Sequence, residues 1–167
     1  MALTYLALGS NLGDPLNQLR QARRALEEVG HVVASSSLYR TVPVGGPPGQ
    51  PDYLNAVVAL QSYTDDPETL LQRLLELEAR QGRRRVVRWD ARTLDLDLLA
   101  WDDLHHQSAT LTLPHSRMLE RTFVLAPLCE IAADWRHPQT GERACEVLRR
   151  LGLGGVERTD LPWAETD

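Results

Sequence analysis

Twice in this chain the dipeptide Asp-Pro opens a stretch with apolar residues at helical spacing, and each stretch lies between apolar runs of strand length. Asp14-Pro15 leads Leu16, Leu19, Ala22, Leu26 and Val29, with Gly30 as the predicted stop; Asp66-Pro67 leads Leu70, Leu71, Leu74, Leu75 and Leu77, with Gly82 closing. Aspartate at the cap offers an acceptor to the free N–H groups of a first turn, and proline pre-sets its φ. The flanking runs are residues 2–8, Val32 to Tyr39, Tyr53 to Ser62 and Leu94 to Ala100, the last with period-2 alternation. The order strand-helix-strand-strand-helix-strand predicts an α+β fold of ferredoxin-like type, an antiparallel sheet covered by helices on one face. Gly9 to Gly13 reads as a turn, a short strand is expected over residues 111–113, and helices over Phe123 to Ile131 and Ala144 to Leu151. At 167 residues the expectation is one domain, 1–167, whose end (about 153–167) is a weakly held tail.

The 18 positive charges are all arginine; the chain contains no lysine. A phosphate loop ending in Gly-Lys-Ser/Thr, a protein kinase's strand lysine and Schiff-base chemistry are therefore excluded. Any phosphate must be held by arginine, histidine, backbone amides or metal. The net charge of −5 argues against a general nucleic-acid binder. Cys129 and Cys145 are too few for a disulfide scaffold or a four-cysteine zinc site and read as two bland thiols. No apolar run approaches the ~18 residues that cross a bilayer, so no membrane is expected. The N-terminus lacks a basic segment followed by a long apolar one, which makes a cytoplasmic location the expectation.

Against this acidic background, residues 80–92 hold six arginines and a single acid, Asp90. Such a patch attracts a small polyanion. Directly after it comes Arg92-Thr93-Leu94-Asp95-Leu96-Asp97-Leu98-Leu99. In a strand, Asp95 and Asp97 share a face about 7 Å apart, and Leu94, Leu96 and Leu98 point to the core. Two carboxylates facing one way suit a hard cation that is also held by substrate phosphates. Acid for metal beside arginine for phosphate is what nucleotide chemistry needs. A second cluster, His115 with Arg117 and Arg121, suits a polyphosphate. His105 and His106 read as solvated. A third cluster, Tyr53, Asn55 and the chain's only phenylalanine, Phe123, could clamp a flat heterocycle by stacking and edge hydrogen bonds. Residues 43–51, seven Gly or Pro in nine, exclude regular structure.

Several motifs in order carry a resemblance: Leu8-Gly9-Ser10-Asn11-Leu12-Gly13, Tyr39-Arg40-Thr41, Pro51-Asp52-Tyr53-Leu54-Asn55-Ala56, Gly82-Arg83, Arg88-Trp89, Ala91 through Asp97, and Leu113-Pro114-His115 through Leu128. Together they resemble the 6-hydroxymethyl-7,8-dihydropterin pyrophosphokinases of folate biosynthesis over about residues 3–135. The resemblance implies an α/β/α sandwich of three layers. It also implies a transferase that moves the pyrophosphoryl group of ATP to the hydroxymethyl oxygen of the dihydropterin, releasing AMP. Carried over by position, Asp95 and Asp97 would bind two Mg²⁺ ions. Arg83, Arg85, Arg92, His115 and Arg121 would hold the triphosphate, with Arg83, Arg85 and Arg92 also catalytic. Trp89 would fasten the arginine loop, and Leu98 would offer its backbone to adenine. Tyr53 and Phe123 would sandwich the pterin, with Thr41 and Asn55 at its edge. Segment 43–51 would be a second mobile loop. Asp90-Ala91 stands where the family usually has Gly-Pro. The expected partners are these two small substrates, and the expected state is a monomer.

An RNA-binding module of the same element order competes, but the net charge and the lack of paired aromatics on adjacent central strands speak against it. A regulatory domain that binds a ligand without turning it over is the third reading.

Overall fold

Both Asp-Pro starts cap helices. The Asp14 carboxylate accepts the Asn17 N–H at 3.2 Å at the head of α1 (Pro15–Ala25), and Asp66 accepts the Glu68 N–H at 3.3 Å at the head of α2 (Pro67–Arg80). The computed structural model describes residues 1–11, 13–42, 52–81 and 94–164. The remaining elements are β1 (Leu3–Ser10), β2 (Gly30–Ser35), β3 (Tyr39–Thr41), β4 (Tyr53–Ser62), β5 (Asp95–Trp101), β6 (His106–Gln107), β7 (Thr112–Leu113), α3 (Thr122–Ile131), α4 (Ala144–Leu151) and β8 (Val156–Arg158). The main sheet runs β5-β1-β4-β3-β8, with β2 also on β4, and the pairings are antiparallel. The short strands β6 and β7 form a hairpin. The α+β class and its ferredoxin-like element order hold.

The sheet is buried on both faces. Leu6, Leu8, Val58, Leu60, Leu96 and Leu98 pack with α1 and α2; Tyr5, Ala7, Val57 and Leu99 pack with α3 and α4. The reading that placed helices on one face is thus incomplete, because α3 and α4 supply the third layer. A bulge in the β1–β5 register between Tyr5 and Leu6 lets Trp101 return to the α1/α2 side after Leu99.

Four local expectations are corrected. The first helix does not reach Gly30: it gives way to a 3-10 turn, Leu26–Glu28, and Gly30 begins β2, where a Cβ would meet Gln61 O at 2.5 Å. The strand expected over Val32 to Tyr39 breaks into β2 and β3, which pair with opposite halves of β4. Its serine-rich middle allows this, since the Ser36 hydroxyl oxygen accepts the Val57 N–H at 3.0 Å in place of a ladder carbonyl. The turn expected at Gly9 starts later, because β1 runs through Ser10. Cys129 and Cys145 are not separate thiols but a disulfide joining α3 to α4, Cα to Cα 5.3 Å. The two helices pack together on the sheet, a proximity that 16 intervening positions do not reveal.

The tail is also corrected. β8 pairs with β3, the Thr159 hydroxyl donates to Leu38 O at 2.8 Å, and the Trp163 indole donates to Ser36 O at 2.8 Å. Trp163 is only 5% exposed and belongs to the main core. The end of the chain therefore fastens the kink between β2 and β3. Among the described residues no helix is long and apolar enough to cross a membrane. Trp163→Ala is expected to lower unfolding free energy by about 3–5 kcal/mol, the range for emptying a core tryptophan site. Urea denaturation checks this, and a loss under about 1 kcal/mol would return the segment to a loose tail.

Candidate active site

Strand alternation decides where the two aspartates go. On β5, Leu96 and Leu98 enter the core with Leu94 just before them, so Asp95 and Asp97 face the other side. Their cross-strand neighbours on β1 are Gly9 and Ala7, and the next strand continues the rows with Asn55 beside Gly9 and Val57 beside Ala7. Small residues in the middle row leave a hollow between taller side chains. Gly9 has no room for more: a Cβ there would sit 2.8 Å from the Asn55 amide nitrogen.

This hollow is a cleft of about 450 Å³. Asp95, Asp97, Tyr53 and Asn55 line its sheet side, and Thr41 and Val42 close the β3 end. Phe123, at the head of α3, and Arg117 and Arg121 just before it complete the wall. The Arg121 guanidinium stands 5.7 Å from the Phe123 ring centroid, within cation–π range. Two buried polar atoms in the cleft, Thr41 Oγ1 and Asn55 Oδ1, have no hydrogen-bond partner among the described residues. A buried acceptor left so is costly unless a ligand satisfies it.

A second cleft, about 330 Å³, lies along the edge of β5. Leu71, Leu75 and Glu78 of α2 form one wall, and Thr110, Leu111 and Thr112 form the opposite one. Leu96, Asp97, Leu98, His115 and Ser116 complete it. Asp97 thus borders both clefts. The Glu78 carboxylate, 3% exposed, accepts the Leu96 N–H at 2.6 Å and so fastens α2 to β5 between the two aspartates.

His115 follows a cis Leu113-Pro114 bond. Burial lowers its pKa; Asp97 opposes that, and Arg121 and Arg117 add to it. Its Nδ1 accepts the Arg117 N–H at 3.2 Å, which leaves the ring proton on Nε2 as a donor.

The structure therefore brings together Thr41, Tyr53, Asn55, Phe123, Arg121, Asp95 and Asp97 in one cleft, and Asp97, Leu98 and His115 in the other. Arg121 lines the first cleft rather than the second. Arg83, Arg85, Trp89 and Arg92, and the whole of segment 43–51, lie outside the described residues. Sequence reasoning counted Arg117 in a phosphate-suited cluster without assigning it to the site, and it missed the wall residues Leu71, Leu75 and Glu78. Their i, i+4, i+7 spacing on α2 was visible, but only as a core pattern. His106 is not simply solvated: its Nε2 lies 3.0 Å from Glu68 Oε2.

The donor set fits a magnesium ion. The two carboxylates are hard oxygen ligands, and no group of three or more metal-binding side chains occurs among the described residues. One or two carboxylates completed by substrate phosphates is the usual Mg²⁺ arrangement.

A family model described as 7,8-dihydro-6-hydroxymethylpterin-pyrophosphokinase matches residues 5–133. The 2-amino-4-hydroxy-6-hydroxymethyldihydropteridine pyrophosphokinase of Haemophilus influenzae is 45% identical over 136 residues, covering 80% of this chain and 84% of that protein. The enzyme of the same name from Pseudomonas aeruginosa is 41% identical over 162 residues, covering 96% and 97%. Among solved structures, Plasmodium falciparum HPPK-DHPS, wild type with STZ-DHP, matches with a TM-score of 0.73 at 13% identity, covering 90% of this chain and 43% of that longer one. That likeness supports the three-layer fold alone. The family match and the relatives settle the lineage: the chain belongs to the 7,8-dihydro-6-hydroxymethylpterin-pyrophosphokinase family.

Proposed function

We propose that the two clefts are the two substrate subsites of the family's reaction, with ATP at the edge of β5 and the dihydropterin in the larger hollow. The enzyme is a pyrophosphokinase of folate biosynthesis. It transfers the pyrophosphoryl group of ATP to 6-hydroxymethyl-7,8-dihydropterin. A bond forms between the hydroxymethyl oxygen and the β-phosphorus, the bond from that phosphorus to the α-bridging oxygen breaks, AMP leaves, and the hydroxyl proton is lost to water. The observation that carries the subsite reading is that Asp97 borders both clefts. A group held there reaches both substrates.

In this reading Tyr53 and Phe123 flank the pterin ring, while Thr41 Oγ1 and Asn55 Oδ1 gain the partners they lack. The neutral His115 donates from Nε2 to a phosphate oxygen. Arg121, with Arg117, meets phosphate charge where the clefts join, and Leu98 presents its backbone to adenine. Arg83, Arg85 and Arg92 are assigned to the triphosphate and Trp89 to fastening their loop by family resemblance. Asp95 and Asp97 would hold two Mg²⁺ ions together with phosphate oxygens, which would supply charge neutralisation and increase the acidity of the acceptor hydroxyl. No strong protein base is then required, and orientation plus electrostatics accounts for the rate. In this reading the whole chain, 1–167, serves as one domain, since one sheet builds both clefts, and it acts as a monomer in the cytoplasm.

Three outcomes test it. Asp97→Asn is expected to cut kcat by about 10²–10³-fold or more while circular dichroism and the melting temperature stay unchanged. AMP release with pterin, ATP and Mg²⁺ measures this, and undiminished turnover at limiting Mg²⁺ would remove the metal role. Phe123→Ala is expected to weaken pterin binding by about 1–3 kcal/mol, the scale of aromatic stacking on a heterocycle. Calorimetric titration would expose an unaltered affinity and take Phe123 out of the clamp. Gly9→Ala is expected to displace the Asn55 amide and raise the pterin KM about tenfold, with the ATP KM little changed; equal shifts in both would refute the close-contact argument.

A further inference from the structure

The second cleft is bracketed by two carboxylates on one face of α2. Glu68, Leu71, Leu75 and Glu78 follow at steps of three or four residues, so they share that face. Leu71, Leu75 and Glu78 line the cleft, and Glu78 ties one end of the face to β5 through Leu96 N. Glu68, at the other end, lies outside the cleft lining but is bonded to the facing wall. Its Oε2 accepts from Ser108 Oγ at 2.7 Å and pairs with His106 Nε2 at 3.0 Å, and its Oε1 accepts the Thr110 hydroxyl. These three donors flank and form the connection between β6 and β7, where the Ser108 hydroxyl also accepts the Leu111 N–H at 3.1 Å and the Ser108 N–H donates to Leu111 O at 2.9 Å. Thr110, Leu111 and Thr112 are the cleft wall itself.

We propose that Glu68 is a positioning residue for the nucleotide: by clasping the β6–β7 turn to α2, it sets the distance between the two walls of the second cleft. The inference rests on the reading of that cleft as the ATP subsite. The physical reason is leverage. Hydrogen bonds from several donors to one carboxylate are stronger than neutral ones, and at this end of the opening they join α2 directly to the facing wall. The three donors also hold the Glu68 carboxyl down to about 2, so it is charged throughout the working range. The β7 end of the hairpin is anchored separately, by the His115 N–H donating to Leu99 O at 2.8 Å and by the burial of Leu111 and Leu113 in the core.

The test compares the wild-type chain with Glu68→Ala and Ser108→Ala, the second removing a donor that does not line the cleft. Steady-state kinetics varies ATP and pterin separately, and α,β-methylene-ATP with Mg²⁺, in which the bond to be broken is blocked, serves as the binding probe. Glu68→Ala is expected to raise the ATP KM and the probe Kd about tenfold, with Ser108→Ala smaller in the same direction. The pterin KM and kcat at saturating ATP should stay within about twofold, and Glu68→Gln, which can still accept two of the bonds, should recover part of the loss. If the probe shifts the Leu111 and Thr112 amide resonances of the wild type but binds both variants unchanged, the clasp is overturned and the subsite reading survives. If the wild-type probe leaves those amides unmoved, the subsite reading falls and takes the clasp with it. A parallel rise in both KM values with a lowered melting temperature would make Glu68 merely structural and overturn the proposal. Should Glu68→Ala fail to fold, Ser108→Ala decides by the same criteria.

Discussion

The antiparallel pairing of β5 with β1 is the interaction on which the site depends. It sets Asp95 beside Gly9 and Asp97 beside Ala7, so that two anionic side chains rise next to the smallest residues of the central strand. A one-residue slip would bury both carboxylates in the leucine core and expose Leu96 and Leu98. The core prevents that slip, because Leu94, Leu96 and Leu98 are each almost fully buried against α1 and α2. The energy that orients the acids is therefore hydrophobic. No attraction to a metal is required to turn these two side chains to the cleft face.

The position of β5 at an edge of the sheet adds a second consequence. An interior strand would have both flanks occupied by neighbours. Among the described residues β5 pairs with β1 alone, and its other flank is left to α2 and the β6–β7 hairpin, which stand apart and enclose the second cleft. One strand thus supplies a face to one cleft and an edge to the other. Carboxylates stabilise this arrangement at each end: Glu78 buried on a backbone N–H, Glu68 nearer the surface on side-chain donors. The far side of the larger cleft is held from a greater distance along the chain, by β8 on β3 and by Trp163 on the kink that precedes β3.

Much of this was legible in the residues. The Asp-Pro caps, the leucine stripes and the Asp-x-Asp alternation are local signals, and α1, α2 and β5 formed close to where these patterns lay. Tyr53, Asn55 and Phe123 could be grouped by chemistry, and they do meet at one cleft. Four things were not legible. The Cys129–Cys145 disulfide and the docking of the tail are contacts across long separations, with no local marker. The break between β2 and β3 follows from how the serines pair with β4, and composition shows only that serines are present. The role of the α2 face was hidden because Leu71 and Leu75 fit a core stripe whether they meet a sheet or a cleft.

Spacing and residue type within short windows were enough for the element order, the shared face of Asp95 and Asp97, the exclusion of lysine chemistry and the family. Packing between distant segments settles the rest: Asp97 belongs to two clefts, Gly9 must lack a side chain so that Asn55 can stand beside it, and Glu68 reaches across to the hairpin. These are distances between residues from about 40 to 90 positions apart, and a periodic pattern along one segment carries no information about which other segment will pack against it.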